Sequence, residues 1–140
     1  MKTTRMNSVI ALALMLAAVV ACSYSSANLS ALKTGRDRTV SEQTSDFERG
    51  DIIYAVATVS NAPGKVKVRG RLIVEDVPGQ QTGPVPGLEK TLELDGSGNV
   101  TFTFTPPSGG WPGGKYKIEA IMMNEKDEQK DQKAVSISVS

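Results

Sequence analysis

Alternation of apolar and polar residues with a period of two, repeated in short segments, constrains this chain more than any other feature. It is cleanest over residues 100–105, where Val100, Phe102 and Phe104 alternate with Thr101, Thr103 and Thr105. Successive side chains of an extended strand point to opposite faces, so such a segment buries one face and leaves the other in water. Residues 52–60 alternate with both faces largely apolar, which predicts a central strand. Residues 65–74 alternate strictly, 88–95 carry Leu92 and Leu94 on one side, and 116–122 carry Tyr116, Ile118, Ala120 and Met122. Residues 135–139 mark a last strand, and a short one over 39–44 brings the expected number to seven. Turn chemistry separates them: Asn61-Ala62-Pro63-Gly64, then Asp95-Gly96-Ser97-Gly98-Asn99, then the Pro/Gly-rich stretch 106–114. With no amphipathic helix between them, the expected fold is all-β: one antiparallel sandwich over residues 39–140.

The N-terminal part follows a different rule. Lys2 and Arg5 precede thirteen consecutive apolar residues, 9–21, and no acidic residue occurs before Asp37. A membrane-spanning helix needs about 20 apolar residues, so the run fits the core of a signal peptide, residues 1–21. The string Val19-Val20-Ala21-Cys22 resembles the lipobox of bacterial lipoprotein precursors. That resemblance implies cleavage between Ala21 and Cys22, a diacylglycerol on the Cys22 sulfur and an N-acyl chain such as palmitate on the freed amine. At about 0.8 kcal/mol per buried methylene, two or three chains anchor stably where one would not. The family's inner-membrane retention residue is Asp after the cysteine; Ser23 stands here, which points to the outer membrane. The plainer alternative is a secreted protein cleaved near Ala21. Residues 22–38 show neither helical nor strand periodicity and read as a lipidated flexible tether of about 15 residues.

Composition excludes several functions. Cleavage before Cys22 removes 21 of the 140 residues, leaving 119, enough for one domain. Lys2 and Arg5 leave with the leader, so 14 basic residues face 15 acidic ones. No field of one sign remains to attract nucleic acid. Histidine is absent and Cys22 is the only cysteine. Ser–His–Asp and Cys–His nucleophile activation and His-ligated metal sites are thereby excluded, and the fold carries no disulfide. No cofactor other than the covalent lipid is expected. The Asp95–Asn99 turn lacks the acidic ligands of a calcium loop.

Two further strings carry a resemblance of fold. Phe47-Glu48-Arg49-Gly50-Asp51-Ile52-Ile53-Tyr54 and Gly110-Trp111-Pro112-Gly113-Gly114-Lys115-Tyr116 are similar to segments of immunoglobulin-like and fibronectin-III-like domains of bacterial envelope proteins. The resemblance implies that the Gly-Asp turn feeds strand B and the Trp-Pro segment feeds strand F. It also implies that Tyr116 forms a tyrosine corner, its hydroxyl bonded to nearby backbone.

Three features stand out as candidate binding elements, each with a structural counterpart. Lys65, Lys67, Arg69 and Arg71 fall on one face of one strand. They form either a basic stripe for an acidic partner or a solvated face paired to Glu89, Glu93 and Asp95, and on an edge strand they would also block aggregation. The near-zero net charge favours the paired face. Trp111, the only tryptophan, either presents an exposed anchor for a glycan or protein or closes the end of the sandwich as a lid. The loop 77–87, with Gln80 and Gln81, is either a binding loop or a passive connection. No nucleophile–base pair is visible, so the expected function is non-catalytic. The chain reads as a lipid-anchored envelope module that recognises a protein partner, through loops or by accepting a partner strand at a sheet edge. The alternative is a glycan or lipid held at the Trp111 end.

Overall fold

The computed structural model describes residues 27–140; the leader, Ala21 and Cys22 lie outside the described residues. Eight strands follow in order: β1 (Asn28–Gly35), β2 (Asp46–Phe47), β3 (Ile53–Ser60), β4 (Val66–Asp76), β5 (Gly83–Leu94), β6 (Gly98–Phe104), β7 (Gly114–Met123) and β8 (Gln129–Val139). They form two sheets, one ordered β1-β3-β6 and the other β2-β8-β7-β4-β5. All pairings are antiparallel except that of β2 with β8, which is parallel over two residues. This is an immunoglobulin-like sandwich: β3 takes the place of strand B and β7 that of strand F, with β4 and β8 flanking β7.

The core forms where the two inner faces meet. Ile53, Ala55, Ala57 and Val59 of β3 and Phe102 of β6 face Val68 and Leu72 of β4 and Ile118, Ala120 and Met122 of β7, all essentially inaccessible. Gly70 interrupts the apolar row of β4 for a steric reason. A Cβ there would lie 2.6 Å from the ring of Phe102, which occupies the space across the sandwich. The outer face of β3 is also partly covered, as its second apolar face requires. Val56 is buried there, and its cross-strand neighbour Thr101 donates a hydrogen bond to the Arg38 carbonyl of the loop folded back across the sheet.

Three expectations are corrected. The tether does not extend over 22–38, because residues 28–35 form β1 and pair with β3. A bulge between Leu29 and Ala31 shifts the register, so the buried Leu29 and half-buried Leu32 are spaced three apart. That spacing erases the period-two signal. Residues 39–44 form no strand; a turn closed by the Val40 N–H on the Asp37 carbonyl at 3.0 Å occupies that stretch, with Val40 at φ 48°. The sandwich therefore begins before residue 39 and has eight strands among the described residues. The loop expected over 77–87 is also shorter, since β5 starts at Gly83.

β5, the edge of the larger sheet, has one irregularity that matters for the site. Arg71 pairs with Glu89 and Ile73 with Pro84, so Leu72 alone faces the four residues 85–88. Those four leave the ladder, with Gly87 at φ 80°.

Candidate binding cleft at the Trp111 end

Trp111 is fixed by bonds that reach far along the chain. Its indole N–H donates to the Asp51 carbonyl at 2.8 Å and its backbone N–H to the Arg49 carbonyl at 2.8 Å. Gly110 permits this approach: at φ 87°, a Cβ would stand 2.7 Å from the Arg49 oxygen. The 48–51 turn is closed from within, the Asp51 carboxylate accepting from the Glu48 N–H at 2.8 Å and from Arg36 at 3.0 Å. These two interactions, the Glu48 N–H first, hold the Asp51 pKa below its ordinary 3.8. The Gly-Asp turn and the Trp-Pro segment, read separately from sequence, are thus one brace.

Tyr116 makes the expected corner. Its hydroxyl donates to the Pro112 carbonyl at 2.6 Å, and its ring meets Trp111 edge-on at 6.4 Å between centroids. Burial pushes the phenol pKa up, so it remains a donor through the neutral range. Trp111 is 2% exposed. Of its two alternatives, it is the lid of the sandwich and not an exposed anchor. Turned inward, the ring packs into the core while its indole N–H keeps a partner in the Asp51 carbonyl.

Above this aromatic pair the sheets part between β5 and the end of β6, leaving an open cleft of about 420 Å³. Trp111, Tyr116 and Val74 line it together with Val85, Pro86 and Leu88 of the β5 excursion, and Pro107, Pro112, Gln80 and Thr105 complete it. None of these side chains is charged at neutral pH. Gln80 and Trp111 are thus brought together across thirty residues, whereas Gln81 is not among the lining residues. The sequence reading missed Val85, Leu88 and Pro107. The Pro/Gly-rich run over residues 83–87 signalled a turn rather than a strand with an excursion, and nothing local showed that residues near 85 and 107 would meet.

The basic stripe goes elsewhere. Lys67, Arg69 and Arg71 project from the outer face of β4, which lies between β7 and β5 and so has no edge for them to guard. Lys67 pairs with Asp127 at 2.9 Å, Arg69 with Glu89 at 3.2 Å and Arg71 with the nearly buried Glu119 at 2.7 Å. Asp127, first, and then Glu93 and Glu125 raise the Lys67 pKa. Of the partners expected, only Glu89 forms an ion pair among the described residues; Glu93 stands opposite Lys67. Lys65 lies beyond the strand, at the end remote from Trp111, beside a second open pocket of about 390 Å³. The stripe is a paired face rather than a free cationic one.

No family model matches the chain, and no curated protein matches it. Solved structures do match. A Niemann-Pick type C2 protein from Japanese carpenter ant aligns with 81% of this chain and 92% of its own, at 17% identity and TM-score 0.50. A mutant β-glucosidase from Listeria innocua, in complex with laminaribiose, aligns with 84% of this chain at 15% identity and TM-score 0.52. The chain spans only 16% of that enzyme's length. The likeness is one of fold alone.

Proposed function

We propose that this chain is a lipid-anchored, non-catalytic immunoglobulin-like module of the bacterial outer membrane, an accessory subunit that recognises a protein partner with its Trp111 end. The observation that carries this reading is the separation of two ends. β1 starts at Asn28, at the Lys65 end, only six residues after Cys22. A lipid on Cys22 would thus join the sandwich at that end. The ten residues of β7, at about 3.4 Å each, put the Trp111 cleft roughly 30 Å away. The cleft's lining holds no nucleophile–base pair, which supports a binding role.

Of the alternative ligands at this end, a glycan has the weaker support. A sugar needs several hydrogen-bond partners and an aromatic face, yet the Trp111 indole and the Tyr116 hydroxyl already donate inward. The test is made in intact cells. Radiolabelled palmitate should appear on the chain and vanish with Cys22→Ser. A chemically crosslinked partner adduct should be lost with Leu88→Asp and retained with Lys65→Glu. Loss with Lys65→Glu alone would reverse the assignment of the two ends.

A further inference from the structure

The cleft's chemistry narrows what can occupy it. Pockets of roughly 300–1,000 Å³ with apolar walls and a few polar groups are the usual form of small-ligand sites. This one, at about 420 Å³, has an apolar floor of Trp111 and Tyr116 and apolar walls of Val74, Val85, Leu88 and the prolines. Its two aromatic donors are spent on the Asp51 and Pro112 carbonyls. The Gln80 and Thr105 side chains line the cleft without a hydrogen-bond partner among the described residues, and both are exposed at its mouth. One wall is the β5 excursion, four residues facing a single β4 residue and so outside the regular ladder. Pro86, within it, has no N–H to donate.

We infer that the cleft is a binding site for a small, uncharged, predominantly apolar molecule carrying one hydrogen-bonding group. The apolar body lies against Trp111, Tyr116, Val85 and Leu88, and the polar group meets Gln80 or Thr105 at the mouth. A charged ligand is disfavoured, because no side chain in the lining compensates the water it would lose. A polyhydroxylated one is disfavoured because two side chains cannot satisfy its hydroxyls. This inference rests on the ligand-binding alternative for the Trp111 end, and a protein side chain is the competing occupant of the same cleft.

The test uses two dyes with the same aromatic body, neutral N-phenyl-1-naphthylamine and its anionic relative 1-anilinonaphthalene-8-sulfonate. They are added to the chain from Cys22 to Ser140 carrying Cys22→Ser, kept free of detergent. The neutral dye should bind saturably, with its own emission rising as that of the sole tryptophan falls. The anionic dye should bind at least about tenfold more weakly. Leu88→Asp should weaken the neutral dye by about tenfold or more. Gln80→Glu, at an exposed position that does not threaten the fold, should weaken it several-fold, and Lys65→Ala should leave it unchanged. Equal affinity for both dyes, or insensitivity to both Leu88→Asp and Gln80→Glu, would overturn the inference. So would absence of saturable binding; if Leu88→Asp then still abolished the crosslinked partner, the cleft would instead receive a protein side chain, and the partner reading would survive.

Discussion

The two ends of the sandwich differ in what their turns are tied to. At the Lys65 end the 124–128 turn is closed locally, the Asn124 side chain capping the N–H groups of Lys126 and Glu128 and the Asp127 N–H donating to the Asn124 carbonyl, while the Ala62 N–H donates to Ser97 Oγ at 3.0 Å between neighbouring turns. The pocket there mixes the charged Lys65, Glu125, Lys126, Glu128 and Lys130 with the apolar Ala27, Pro63, Val66 and Met122, whereas no charged side chain lines the Trp111 cleft. At the Trp111 end, segments distant in sequence brace one another. Trp111 bonds to the 48–51 turn, Ser138 to the Ser45 carbonyl and Ser140 to the Phe47 carbonyl. The bond from Trp111 fixes the floor of an uncharged cleft before anything binds, which lowers the ordering cost of recognition.

The largest expected difference between the ends comes from Trp111→Ala, which removes the buried lid. It should cost about 3–5 kcal/mol in denaturant unfolding, whereas Lys126→Ala should change stability by less than about 0.5 kcal/mol. Comparable losses at the two ends would break the contrast. A glycine pair sharpens it. Gly110→Ala places a methyl 2.7 Å from the Arg49 oxygen at a positive φ and should cost about 1–3 kcal/mol, while Gly64 has nothing within 4 Å and should tolerate alanine. Next comes Tyr116→Phe, which deletes the bond to the Pro112 carbonyl and should cost about 1 kcal/mol, read as a lowered denaturation midpoint.

The smallest effect is that of pH. Asp51 has its pKa lowered in the folded chain, so its contribution is present above about pH 4 and fades as pH falls through the folded value. Red-shifting of Trp111 emission below pH 4, reduced in Asp51→Asn, would show that this carboxylate holds the brace. Lys67 behaves oppositely. Its raised pKa confines its contribution to pH below the folded value, with loss on alkaline titration, and Trp111 emission should not follow it.

Much of this architecture was legible where burial alone decides the pattern. The strands β3, β4, β6, β7 and β8 announce themselves by alternation because each has one face in the core. β1 was not legible, since its bulge puts Leu29 and Leu32 out of phase, and β2 is too short to show a period. Tyr116 was legible because its partner, Pro112, is four residues away. The bond between Trp111 and Asp51 spans sixty residues, and no local spacing encodes it. The same holds for the cleft: Gln80 and Trp111 were each conspicuous, but the excursion that joins them at one site depends on a register set by the partner strand. The basic stripe misled for a related reason, because Asp127 and Glu119, which neutralise it, come from the turn and strand beyond.

The division of labour between the ends is tested most directly by placing a photo-crosslinking amino acid at position 80 or at position 126 and irradiating intact cells. Position 80, at the mouth of the cleft, should give a discrete protein adduct, and position 126, at the Lys65 end where the proposed lipid anchor would join, should give none or only lipid-associated material. A discrete adduct from position 126 with none from position 80 would contradict the account.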